Sequence, residues 1–141
     1  MTLLEKTYQS TDFNIKKSTL TETWNRRTAD MTDDIFRDSM QQVIEHVKLY
    51  HPRYLILDFK RSSYTVSIAS QAWLMEKTAP RLENLEVEKI AVIRPHRFLP
   101  KVSTEQWVDD LRYHPDFHMQ TLCFDTQSAA IAWLYHDIFK E

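Results

Sequence analysis

Not one of the 141 residues is a glycine. Average usage is about 7%, so roughly ten would be ordinary in a chain of this length. Glycine is the residue that reaches positive φ without steric cost, so every turn here must be built from residues that carry a Cβ. Asn14, Asn25, Asn84 or an aspartate are the expected carriers of any positive-φ position. The same absence excludes whole classes of chemistry. Phosphate-cradling loops, dinucleotide-binding turns and nucleophile elbows need glycine for close backbone approach, and none of those motifs is present.

The length fits one domain, long enough to bury a single real core. Eighteen Lys and Arg stand against 20 Asp and Glu, a formal charge of −2. That balance argues against a nucleic acid or an anionic membrane as partner. The single cysteine, Cys123, cannot form an internal disulfide, and its Thr-Leu-Cys-Phe context reads as a buried strand. No signal peptide opens the chain and no apolar run approaches a membrane span, so a cytoplasmic location is expected.

Periodicity organises the chain. Leu3–Tyr8, Phe13–Lys17 and Thr19–Trp24 read as three strands of a meander. Thr32–Tyr50 reads as a helix, capped by Thr32, with Phe36, Met40, Val43, Ile44 and Val47 on one stripe. Arg53–Phe59 is a nearly unbroken apolar strand, and Lys89–Ile93 is another, both suited to burial on two faces. Ile68–Leu85 reads as a helix interrupted near Pro80, and Ser103–Gln106 matches a capping box that starts a helix through Tyr113. Met119–Phe124 is the last strand. Asp125 or Thr126 caps a final helix with Ala130, Trp133, Leu134 and Ile138 on one face. Strands alternating with helices predict crossovers and a parallel or mixed sheet, in a single α/β domain.

Asp58 and Asp125 end buried strands, the edge where open α/β sheets bind ligands, though each also suits a loop or helix cap. His114 and His118 with Asp116 are the one close metal-ligand grouping, but Pro115 breaks the helix that would align them, and no metal is expected. Arg94, His96, Arg97 and Lys101 form a basic cluster that could meet a phosphate or acidic partner, or simply be solvated. Trp73 and Trp107 stand beside polar residues. They are expected to be partly exposed, at an interface or a pocket rim.

Leu55-Ile56-Leu57-Asp58, Lys89-Ile90-Ala91-Val92-Ile93, and Phe124-Asp125-Thr126 followed by Ala130-Ile131-Ala132-Trp133-Leu134 resemble the sulfate-transporter and anti-sigma-factor-antagonist (STAS) fold, in its SpoIIAA-like branch. Trp24 before the first helix is also similar. The resemblance implies a single mixed sheet of four to five strands with helices mainly on one face. It also implies a protein partner and, in some members, a phosphorylated serine at the start of the second helix. Ser67 is the positional match, although the usual acidic neighbour and glycine are missing from Val66-Ser67-Ile68-Ala69.

The expectation is therefore a non-enzymatic regulatory or protein-interaction module, without cofactor, binding a protein or a second copy of itself. Its surface would be the Ser62–Ala72 loop and helix start, with Asp58, Ser62, Ser63, Tyr64 and Ser67 as partner-binding or phosphoacceptor residues. A phosphate on Ser67 would sit near the positive end of a helix, so Ser67→Asp should leave the melting temperature almost unchanged. The alternative is a carrier or sensor of a small apolar ligand, with Tyr64, Trp73 and Trp107 at its pocket. A hydrolase is the weakest reading, since no nucleophile–base pair stands at motif spacing.

Overall fold

The computed structural model describes residues 2–5, 7–82, 85–115, 117 and 119–136. β1 (Thr2–Glu5), β2 (Gln9–Asn14) and β3 (Thr19–Trp24) form an antiparallel meander. β3 then pairs in parallel with β4 (Tyr54–Asp58), β4 with β5 (Lys89–Ile93), and β5 with β6 (Gln120–Phe124). The fold is α/β with a single mixed sheet, and the meander brings it to six strands, ordered as in the chain.

The period-two pattern assigns the two faces. Leu20, Leu55, Leu57, Ile90 and Val92 face the larger core, which is closed by α1 (Asp33–Tyr50), α2 (Ile68–Trp73) and α4 (Phe98–Arg112). Tyr54, Ile56, Ala91 and Ile93 face the opposite side, where α5 (Gln127–Leu134) contributes Ala130 and Leu134. All five residues of β4 and of β5 are buried, as their unbroken apolar runs predict. Lys89 is buried as well. Its ammonium donates to the Trp133 and Leu134 carbonyls at 3.2 and 3.5 Å, at the C-terminal end of α5 where a cation is favoured.

Several boundaries differ from the sequence reading, each for a local reason. β2 runs over 9–14 rather than 13–17, because residues 15–18 make the hairpin turn. The Asn14 side chain accepts from the Lys17 amide there at 3.1 Å, and Ser18 N–H donates to the Ile15 carbonyl at 3.2 Å. Positive φ falls on Ser18 (48°) and on His51 (51°), the C-cap of α1, rather than on an asparagine. Asn25 keeps φ at −105° and caps the 3-10 turn Arg26–Asp30 instead, while Asn84 lies outside the described residues.

The helix after β4 is α-helical only to Trp73. It widens into a π-helical turn over Leu74–Thr78 and resumes as α3 (Ala79–Leu82). Pro80 has no amide hydrogen to donate to a carbonyl one turn back, so the ladder is already broken where the turn widens. α4 begins at Phe98, five residues before the capping box suggests. Ser103 is instead buried inside it, donating to the Pro100 carbonyl at 3.0 Å and accepting from the Val66 amide at 3.0 Å. No helix among the described residues is long and apolar enough to cross a membrane.

Candidate functional site

Four parallel strands end at Trp24, Asp58, Ile93 and Phe124, and the loops that follow them share one edge. Asp58 is buried there and fully engaged. One carboxylate oxygen accepts from the Lys60 amide at 3.0 Å and the other from the Gln127 side chain at 2.8 Å, tying the β4 loop to the start of α5. Asp58 thus shapes the edge through its two bonds.

The Ser62–Ser67 loop is knitted to its neighbours. Ser62 is buried and accepts from the Tyr64 amide at 3.3 Å, while the Ser63 amide donates to the Thr28 hydroxyl at 2.8 Å. Tyr64 stacks on Phe36 with ring centroids 4.9 Å apart, and its hydroxyl donates to the Asp33 carboxylate. Ser67 caps α2, accepting from the Ser70 amide at 3.1 Å, and donates to the other Asp33 oxygen at 3.0 Å. Asp33, in the first turn of α1, is therefore a latch between α1 and the loop. The Tyr64 hydrogen bond, helped by Ser67 and Arg37, holds its carboxyl below the ordinary 3.8. Burial and the same bond push the Tyr64 hydroxyl up to about 12.

This latch corrects one expectation. A negative group on Ser67 would gain the helix dipole but would stand against the Asp33 carboxylate, 3.0 Å from the present hydroxyl. Like charges at that separation oppose each other more strongly than the dipole attracts, so the fold would register the change.

The basic cluster read from the sequence divides. Arg94 is consumed by Asp125 at 2.9 Å and Glu105 at 4.0 Å, which raises the Arg94 pKa and lowers that of Asp125. With Asp125 so engaged, Thr126 is the cap of α5, accepting from the Ala129 amide at 3.2 Å. His96 and Arg97 instead join Lys60, Arg61 and Arg26 around a cleft of about 360 Å³. Phe98 and Leu99, which follow Arg97 at the start of α4, expose 75% and 64% of their surfaces, and Ile68, the first residue of α2, exposes 84%.

No family model, curated protein or solved structure matches this chain.

The tryptophans behave unequally. Trp73 is partly buried against the main core. Trp107, expected at a rim, is only 3% exposed, because it lies on the buried stripe of α4 with Thr104, Val108 and Leu111, edge-on to Phe59. It lines an apolar cavity of about 20 Å³ with Leu57, Leu74, Thr78 and Ile90 among others. The Trp107 indole N–H and the Thr78 hydroxyl are buried there, with no hydrogen-bond partner among the described residues. Burial pushes the Cys123 thiol up to about 11, away from nucleophile chemistry. Asp116 and His118 lie outside the described residues, and among those described no group of three or more metal-ligating side chains forms.

A buried polar network under α1 was missed. Glu22, fully buried, pairs with His46 Nδ1 at 2.6 Å and accepts from Gln9 and Thr11 at 2.8 Å each. Gln9 in turn accepts from Ser39 at 2.6 Å, which accepts from the Trp24 indole at 2.7 Å. Alternation in Leu20-Thr21-Glu22-Thr23-Trp24 carries the signal, since it places Glu22 on the same inward face as Leu20 and Trp24.

Proposed function

We propose that this chain is a non-enzymatic interaction module of STAS type, whose working edge is the carboxyl end of its parallel strands and whose partner is a protein. The observation that carries this reading is the exposure of Ile68, Phe98 and Leu99 at the starts of α2 and α4, the two helices that open on the same strand edge as a cleft rich in cations. Large apolar side chains left exposed at a ligand-binding edge of an α/β sheet suit a partner surface. The partner segment that complements this edge combines apolar and acidic residues. Phosphorylation of Ser67, if it occurs, would act by breaking the Asp33 latch and so loosening the Ser62–Ser67 loop against α1.

The carrier reading has less support. Pockets for small organic ligands measure about 300–1,000 Å³. The apolar cavity between α1, the π-helical turn, α4 and the sheet has about 20 Å³, the room of a water molecule.

The test compares Ile68→Ser/Phe98→Ser/Leu99→Ser with Ile15→Ser, an equally exposed apolar site on the β2–β3 turn. All four side chains are exposed, so both variants should keep the wild-type melting temperature. The triple variant should lose saturable binding to proteins from the native source, and Ile15→Ser should keep it. Retention of the same partners at the same affinity by the triple variant defeats the proposal.

A further inference from the structure

Five of the eight residues lining the 360 Å³ cleft are basic: Arg26, Lys60, Arg61, His96 and Arg97. They come from three separate loops, following β3, β4 and β5. Among the described residues, no carboxylate lies within ion-pair distance of Arg26, Lys60, Arg61 or Arg97. The neighbouring Arg94 shows the contrast, with Asp125 and Glu105 both beside it. Asp and Glu outnumber Lys and Arg by 20 to 18 in this chain, so the concentration of positive charge is a local property of the cleft.

The walls of the cleft are also fixed. The His96 amide donates to the Lys60 carbonyl at 3.3 Å, and the Phe59 amide to the Ile93 carbonyl at 3.0 Å, joining the β4 and β5 loops. The Ser63 amide donates to the Thr28 hydroxyl at 2.8 Å, joining the β4 loop to the 3-10 turn that carries Arg26. Holding like charges together costs free energy through repulsion, and an anion reverses that cost on binding. The fixed loops reduce the ordering that such an anion would otherwise impose.

We infer that this cleft is a binding site for a phosphomonoester dianion, carried either by a phosphorylated side chain of the partner or by a free phosphorylated small molecule. The inference rests on the reading that the carboxyl edge is the working edge, and it names the chemistry that edge selects. A single carboxylate is met by one guanidinium fork. A phosphate monoester brings about −1.5 to −2 charges and three acceptor oxygens, enough to engage cations from three loops at once. Arg97 is the N-cap of α4 and makes no side-chain capping bond, so the helix presents uncapped amides to the same edge.

The test is NMR titration of the full chain with inorganic phosphate, N-acetyl-phosphoserine amide and N-acetyl-serine amide, against chloride at matched ionic strength. Both phosphates should give saturable shifts at the amides of Lys60, Arg61, Arg97 and Phe98, while unphosphorylated serine and chloride should not. Arg61→Gln/Arg97→Gln should weaken binding by about tenfold or more, as loss of two charge-assisted contacts implies. Lys16→Gln/Lys48→Gln, with the same change in net charge away from the cleft, should leave it unchanged. Equal affinity for the two phosphates assigns the free small molecule, and tighter binding of the phosphoserine compound assigns the partner side chain. Shifts that do not saturate, that chloride reproduces, or that both double variants weaken equally overturn the inference. Loss of this site with retained capture through Ile68, Phe98 and Leu99 removes the phosphate and leaves the interaction reading in place.

Discussion

At the scale of single residues, Asp33 is the most informative side chain in the molecule. It bonds Tyr64 and Ser67 together, so Ser67 is a helix cap and a latch component at once. Ser67→Ala should cost about 1 kcal/mol through the lost cap, read in chemical denaturation. Ser67→Asp should lower the melting temperature at low salt, and adding Asp33→Asn should restore it, because the carboxylates then no longer face each other. An unchanged melting temperature in Ser67→Asp would refute the latch. The Asp33 carboxyl is held below 3.8 in the fold, so its stabilisation is complete above that pH and is lost as the pH falls through the folded pKa. The stability difference between wild type and Asp33→Asn should accordingly close below pH 3.8 and stay constant above it. Ser67 was legible as a cap from its place before Ile68, but its bond to Asp33 was not, since the two are 34 positions apart and meet only through the fold. Glu22 was hidden for the same reason: its partners Gln9, Thr11 and His46 come from two other elements.

At the scale of elements, legibility followed the strength of the periodic signal. β3, β4, β5 and α1 stand within a residue of their predicted places, because β3 and α1 carry one apolar face and β4 and β5 carry unbroken apolar runs that are buried on both. α4 does not, because a capping-box pattern at Ser103 is a local signal and the buried contact with Val66 overrode it. The π-helical turn carries a specific consequence. Thr78, in that turn, has its hydroxyl buried among apolar side chains with no hydrogen-bond partner among the described residues. Thr78→Val should stabilise the chain by about 1 kcal/mol in urea denaturation, as removal of an unsatisfied buried hydroxyl does. A loss of stability would show that the hydroxyl is satisfied. Leu57→Ala, in the centre of the sheet, should cost about 2–5 kcal/mol, and a loss under about half a kcal/mol would contradict its place in the core.

At the scale of the whole molecule, the order of strands explains the working edge. The sheet adds one parallel strand after another in chain order, so three successive connections carry helices across one face and their loops gather at the carboxyl edge. Among the described residues, α5 covers the opposite face. Part of the edge was readable in the sequence: the Ser62–Ser67 loop and the basic cluster were visible as separate stretches. Their union was not, because Lys60 and His96 are 36 positions apart and are joined by a backbone hydrogen bond. The exposure of Phe98 and Leu99 was hidden too, since an apolar pair reads as buried until the start of its helix is known. The most direct measurement places a photo-crosslinking amino acid singly at Ile15, Leu49, Ile68, Phe98 and Ile131, all exposed apolar positions, in the cells that make the chain. Cross-links to another protein should form from positions 68 and 98 and not from 15, 49 or 131. Cross-links from the other three positions, with none from 68 and 98, would contradict the account.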